Sequence, residues 1–488
     1  MAVSGRDVLQ EVRHLRDAVA REGAATFRRW RGGIERPGFA ASALNLAHYL
    51  ALRHRDLRPL QRVLMRHGLS SLGRLEGRVL ATLDAVSGAL GASDVAWPPS
   101  ERRFFRGEAQ LRRNAAALFG PPTQGREVRI LVTLGREAAD DPVILREIAR
   151  QGADAVRINC AHDDEAAWAA MVANARAAGE AVGRRLPVLM DIAGPKLRTG
   201  EVVRPDDDAR LQVGGALLLL PDAALLAQPD PIPFRAACLP GAVLARVTAG
   251  SEFALDDGKL GGVVESVRPE GGVVIRVQRA RLKGVKLKPE KGINFPGVEL
   301  GLDPLGAKDL ADLDFVARHA DLIGYSFVQR GEDVARLQAE LAARRPQDWR
   351  RLGMIAKIET RAAVRNLPEI IVAAAGRQPF GVMIARGDLA VEIGFERLAE
   401  MQQEILWLCE AAHVPVIWAT QVLEEMVKSG LPTRGEMTDA AMATRAECVM
   451  LNKGPNVGEA ITALDKLVRR MAEHESKKTS HLRALRSW

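Results

Sequence analysis

Eight short apolar runs, nearly every one with a polar residue at or just past its end and each followed by a helical stretch, constrain this chain more than any other feature. They are V-R-I-L-V-T-L (128–134), D-A-V-R-I-N (154–159), P-V-L-M-D-I (187–192), D-L-I-G-Y-S-F (321–327), G-M-I-A-K-I (353–358), G-V-M-I-A (381–385), V-P-V-I-W-A-T (414–420) and E-C-V-M-L-N (447–452). Strands that alternate with helices form a parallel sheet, buried on both faces, so each reads as a nearly continuous apolar run. Eight such units predict an α/β fold, a (β/α)8 TIM barrel. The one long gap, 201–289, is rich in Val, Gly, Pro and Asp and holds short runs such as G-G-V-V-I-R-V. It is expected to be a small β-rich lid inserted after strand three, closing over the barrel mouth. The predicted organisation is a helical extension (1–122), barrel (123–200), lid (201–289), barrel again (290–473) and a short tail (474–488).

In this fold the functional residues gather at the C-terminal strand ends, and there the apolar runs turn polar. Arg157 and Asn159 end strand two, Asp191 ends strand three and Ser326 ends strand four. Lys357 and Glu359 end strand five, Asp388 follows strand six, Thr420 ends strand seven, and Asn452 and Lys453 end strand eight. Glu359 and Asp388 are hard oxygen donors of the kind magnesium takes. Lys357 places a compact positive charge beside them, suited to chemistry in which negative charge grows on a phosphoryl or enolate oxygen. A plain ion pair between neighbouring strands is the alternative for Lys357 and Glu359 taken alone; the second charged strand end weighs against it.

Charge is unevenly placed. Residues 1–120 hold 20 arginines, no lysine and 11 acids, whereas the remaining chain is nearly neutral. Apolar residues recur in the extension at three- and four-residue spacing, which predicts helices. Its arginines alternate with acids and lack interleaved aromatics, so solvated helix faces are expected rather than a nucleic-acid surface. The four cysteines (Cys160, Cys238, Cys409, Cys448) are far apart, fitting a reducing compartment. Arg6, Asp7 and Glu11 interrupt the N-terminus where a secretory signal would be apolar, and no run is long enough to span a bilayer. The expected location is the cytoplasm.

Across about residues 126–460 the sequence resembles the pyruvate kinase family. The matching strings, in family order, are V-R-I-N-C-A-H-D, M-D-I-A-G-P-K-L-R-T-G, L-D-D-G-K-L, K-G-I-N-F-P-G, Y-S-F-V, A-K-I-E-T, M-I-A-R-G-D-L-A-V-E-I, W-A-T-Q-V-L-E-E-M and P-T-R-G-E-M-T-D-A. The resemblance implies phosphoryl transfer between phosphoenolpyruvate and ADP, giving pyruvate and ATP. It implies that Glu359 and Asp388 hold Mg2+ (or Mn2+) and that Lys357 faces the phosphoryl group in flight. Arg157 would grip the phosphate. Gly387, Asp388 and Thr420 would take the substrate carboxylate, with Thr420 near the carbon that gains a proton and Ser326 also on the substrate side. Asn159, His162 and Arg198 would lie near the nucleotide phosphates.

Several positions depart from the family. Its monovalent-cation site loses two oxygen ligands, since Ala161 and Ile192 stand where a Ser and a Thr are usual, while Asn159 and Asp191 remain. Lys196 occupies a position at which a lysine ammonium can replace potassium. We therefore expect Lys196, with Asn159 and Asp191, to act as an internal cation and activity not to require K+. The loop after strand one reads Gly135-Arg-Glu-Ala and the loop after strand eight Asn452-Lys-Gly-Pro, both departing from the family on the nucleotide side. The family's C-terminal effector domain is not matched, so a homo-oligomer other than the effector-regulated tetramer is expected. Two other readings remain at this stage: a non-kinase relative that binds phosphoenolpyruvate or a 2-oxo acid, and a barrel kept as a binding module.

Overall fold

The computed structural model describes residues 5–123 and 125–481. Its centre is a closed barrel of eight parallel strands: Arg129–Thr133, Ala155–Asn159, Val188–Asp191, Leu322–Tyr325, Gly353–Ile358, Phe380–Ala385, Val416–Ala419 and Cys448–Leu451. Each pairs with the next in sequence, and the ring closes where Arg129 stands opposite Cys448. The strands are mostly apolar because they face helices outside and packed side chains inside. Leu131, Ala155, Leu189, Leu322, Ile355 and Met383 share one interior cluster. Side chains alternate along a strand, so residues two positions further on also point inward. That second interior layer is polar on four strands, holding Thr133, Arg157, Asp191 and Lys357.

Helices return the chain between strands, and their starts are written locally. Asp141 accepts a hydrogen bond from the Val143 amide at 2.8 Å with Pro142 in the first turn, opening helix Pro142–Gln151. Asp164 caps Glu165–Ala181 in the same way. The inserted segment is a seven-stranded mixed sheet running from Arg198–Val203 to Ile293–Asn294, with its own apolar core around Leu217, Phe253 and Ile275.

The helical extension is continuous with the barrel. Helices Gly5–Arg31, Pro37–Arg53, Arg58–Arg66 and Val79–Ala89 share one core cluster with the barrel's outer helices. Helix Arg106–Phe119 ends beneath the barrel, and its Leu118 and Phe119 complete the interior cluster from below. Polar contacts fix the same interface. Ser42 Oγ lies 2.8 Å from His413 Nδ1, Asn45 donates to the Ala411 carbonyl at 2.8 Å, and Asn114 donates to the His413 carbonyl at 2.6 Å. Most of the extension's arginines are exposed, but a few are drawn into the fold: Arg36 reaches the carbonyls of Ala375 and Gln378, and Arg16 pairs with Asp84 at 2.9 Å. The expected solvated faces are thus present for most arginines, while amphipathic spacing shows that a helix has a buried face but not what it is buried against.

Leu118 is 2% exposed and plugs the floor of the barrel. Leu118→Ala is expected to lower stability by about 2–5 kcal/mol through lost burial and a cavity, read as a lower urea midpoint with the denaturant slope unchanged.

Candidate active site at the barrel mouth

Asp191 is fully buried and organises the polar layer of the barrel. Its Oδ2 accepts from Arg157 Nε at 2.7 Å and Nη2 at 2.6 Å, and lies 3.6 Å from Lys357 Nζ. Its Oδ1 presses against the opposite strand, where a Cβ on Gly324 would fall 1.6 Å away. Only glycine leaves that oxygen room. Arg157 also donates to Thr133 Oγ1 at 3.2 Å. Burial works against the Asp191 charge, but Arg157 and then Lys357 outweigh it and hold the carboxyl below its ordinary range.

Lys357 is the second anchor. Its ammonium donates to Ser326 Oγ at 2.8 Å and lies 3.1 Å from Glu359 Oε1, while Ser326 Oγ donates to the Ile192 carbonyl at 2.7 Å. Burial alone would favour the neutral amine; Glu359 and Asp191 reverse this and raise the pKa, so the group stays an ammonium. Glu359 is 2% exposed, and its Oε2 accepts from the Phe327 amide at 2.6 Å. Burial, then the charge of Asp388, push its carboxyl above the ordinary range against the pull of Lys357.

Asp388 lies in the first turn of helix Arg386–Ile393, directly after strand six. Lys196 Nζ spans its two oxygens at 2.8 and 3.1 Å and lies 3.8 Å from Asp257 of the lid. This corrects the expected grouping of Lys196 with Asn159 and Asp191. The cations on Asp191 are Arg157 and Lys357, and Asn159 Oδ1 accepts from the Ala161 amide at 3.3 Å. A long, flexible lysine reached the nearer rim acid.

Gly387 and Thr420 meet across the mouth: a Cβ on Gly387 would come within 3.0 Å of Thr420 Cγ2. Thr420, Gln421 and Leu423 have φ of +72°, +59° and +49°, left-handed conformations that carry strain outside glycine. Arg386 holds this turn. It donates to the Ala419 and Thr420 carbonyls at 2.8 and 2.6 Å, makes a bidentate pair with Asp439 at 2.5 and 2.8 Å, and lies 4.7 Å above the Trp418 ring. Neither Arg386 nor Asp439 was given a role from sequence; their only signal was their place within family-like strings.

A cavity of about 310 Å³ adjoins this cluster, lined by Thr133, Arg157, Asn159, His162, Asn452 and Lys453 among others. His162 is held below the ordinary imidazole range by burial, then by the charges of Lys453 and Arg198. Arg198 sits where the lid begins and donates to the Glu290 carbonyl at 3.1 Å. Arg136 lies 3.7 Å from both Asp163 and Asp164, joining the loops after strands one and two.

The donors at the mouth fit one divalent cation. Among the described residues no cluster of three or more His, Cys, Asp or Glu side chains is placed to hold a metal. Two carboxylates, Glu359 and Asp388, the second near enough to raise the proton affinity of the first, are what Mg2+ takes when substrate oxygens and water complete its shell.

Residues 125–460 match the family model described as pyruvate kinase, barrel domain. Pyruvate kinases are similar over much of the chain. That of Geobacillus stearothermophilus is 33% identical over 68% of this chain and 54% of its own length. Those of Agrobacterium vitis (32%, over 72% and 69%) and Methylorubrum extorquens (33%, over 75% and 72%) extend somewhat further. The chain thus spans little more than half of the Geobacillus protein.

Because the folded-state pKa of Asp191 is depressed, its stabilising contribution is present above the ordinary carboxylate range and is lost as pH falls through the lowered value. Asp191→Asn should therefore be less stable near neutrality, with Arg157 left unpaired and Lys357 left with Glu359 alone, and show a flatter loss of stability on acidification. Urea midpoints followed from roughly pH 7 to roughly pH 3 check both. Arg386→Met should cost about 3–5 kcal/mol by orphaning Asp439 and two carbonyls, measured by the same melts.

Proposed function

The chain belongs to the pyruvate kinase family, and from that premise we propose that it moves a phosphoryl group between phosphoenolpyruvate and ADP. The observation that carries this is the placing of Lys357, Glu359, Asp388 and Arg157 at one mouth, with the lysine kept protonated. Glu359 and Asp388 would hold Mg2+, or Mn2+ in its place. When bound, such an ion supplies Lewis-acid neutralisation of charge on phosphoryl and enolate oxygens. The Lys357 ammonium stabilises charge on the phosphoryl oxygens as they leave one partner for the other. Arg157, oriented by Asp191 and Thr133, grips the phosphate. The amides of Gly387 and Asp388 open a helix, where N–H groups lack partners within the helix and favour an anion. With Thr420 they take the substrate carboxylate, and Thr420 lies near the carbon that gains a proton. Ser326 fixes the lysine on the substrate side.

His162, Asn159 and Arg198 serve the nucleotide phosphates from the adjoining cavity. Lys196 supplies a fixed cation at the rim through Asp388 rather than through Asp191, and activity independent of K+ is proposed on that ground. A second reading, enolate chemistry without ADP, draws support from Arg136, tied to Asp163 and Asp164 on the nucleotide side. We place the protein in the cytoplasm as a homo-oligomer. Among the described residues no helix is long and apolar enough to cross a membrane.

A lactate-dehydrogenase-coupled assay with phosphoenolpyruvate, ADP and Mg2+ should show turnover, lost on chelation and reduced by at least about a thousandfold in Lys357→Met, the loss of a preorganised charge facing the transition state. Absence of turnover with any nucleoside diphosphate would favour the second reading. Adding potassium at constant ionic strength should leave the rate unchanged; saturable activation contradicts the role given to Lys196.

A further inference from the structure

A cavity of about 430 Å³ lies at the opposite end of the barrel from the catalytic mouth. Its walls come from the strand-one entry, the extension helix Arg106–Phe119, the last barrel helix and the hairpin formed by Glu475–Ser476 and Thr479–Ser480. That volume suits a metabolite-sized ligand. One side is apolar, with Leu111, Val128 and Val468.

The lining also carries seven Lys or Arg side chains against six Glu, and not every cation is paired. Several lining cations are already paired, among them Arg78 with Glu108 and Lys477 with Glu447. Arg129 is not. It is 2% exposed, donates only to the carbonyls of Glu127 and Gly120 at 2.6 and 3.1 Å, and leaves Nε without a partner. Among the described residues no carboxylate lies within ion-pair distance of it. Asp154, Glu127 and Glu447 act on it only from beyond that distance, and burial still disfavours its charge; a buried guanidinium without a paired carboxylate is unfavourable unless something else supplies one. Arg112 lines the same cavity, also without an ion pair among the described residues. Of the lining acids, Glu410 is pushed up to about 7 by burial and by Glu76 and Glu447, against Lys477. Near neutrality it is therefore only partly ionised.

We propose that this floor cavity binds a compact organic carboxylate, its acid group on Arg129 and Arg112 and its carbon body against the apolar wall. A guanidinium edge matches a carboxylate in geometry as well as charge. The occupant would bridge the extension, the barrel floor and the terminal hairpin, and it would not compete for the catalytic mouth.

The test is calorimetric titration of the full chain with succinate and with benzoate at constant ionic strength, with inorganic phosphate as a parallel arm. Saturable binding of at least one carboxylate is expected. It should weaken about tenfold in Arg129→Gln and in Arg112→Gln, as for loss of a charge-assisted hydrogen bond, and disappear in Ala472→Phe, which fills the cavity from an exposed position. The Arg112 and Ala472 substitutions are at the surface and report even if Arg129→Gln does not fold. No saturable binding of either carboxylate, binding that these variants leave unchanged, or saturation by phosphate alone would overturn the assignment. None of these readouts depends on phosphoryl transfer, so failure here is separable from failure of the kinase reading.

Discussion

The buried carboxylate of Asp191 is the constraint on which the rim depends. An unpaired acid at that depth would be protonated; instead it gathers two cations. Arg157 is thereby turned toward the cavity it lines, and Lys357 is kept charged although enclosed. Lys357 in turn pairs with Glu359, and Glu359 senses Asp388. One interior position on strand three thus passes its influence to strands two, five and six. The space for it exists because Gly324, on strand four, has no side chain.

The remaining parts of the mouth are set by backbone geometry. A run of left-handed residues after strand seven turns Thr420 toward Gly387, and Arg386 restrains that run with two carbonyl contacts and a bidentate carboxylate pair. Strain of this kind persists where surrounding contacts over-determine it. The floor is closed by the extension, whose Leu118 and Phe119 complete the interior cluster. Site and floor are therefore opposite ends of one packed column of side chains.

Much of this was legible in the sequence, for identifiable reasons. A strand buried on both faces must be apolar along its length, so the eight strands stood out, and a charge at such a strand's end has few uses other than a site. Lys357, Glu359 and Asp388 stand out in the sequence for that reason. Pairing was less legible. Lys196 was assigned to Asp191, yet it reaches Asp388, because spacing does not reveal which of two rim acids a four-carbon side chain meets. Arg386 and Asp439 lie 53 residues apart in sequence, with no local pattern to join them. Helical periodicity located the extension's buried faces but not the barrel beneath them.

The central claim is that Glu359 and Asp388 form one divalent-cation site beside the Lys357 ammonium. Binding of Mn2+ followed by electron paramagnetic resonance tests it without any turnover. The account predicts one site in the unaltered protein, weakened by more than about tenfold in both Glu359→Gln and Asp388→Asn, since even supporting groups around a metal site commonly matter that much. Mn2+ bound with unchanged affinity by both variants would contradict it.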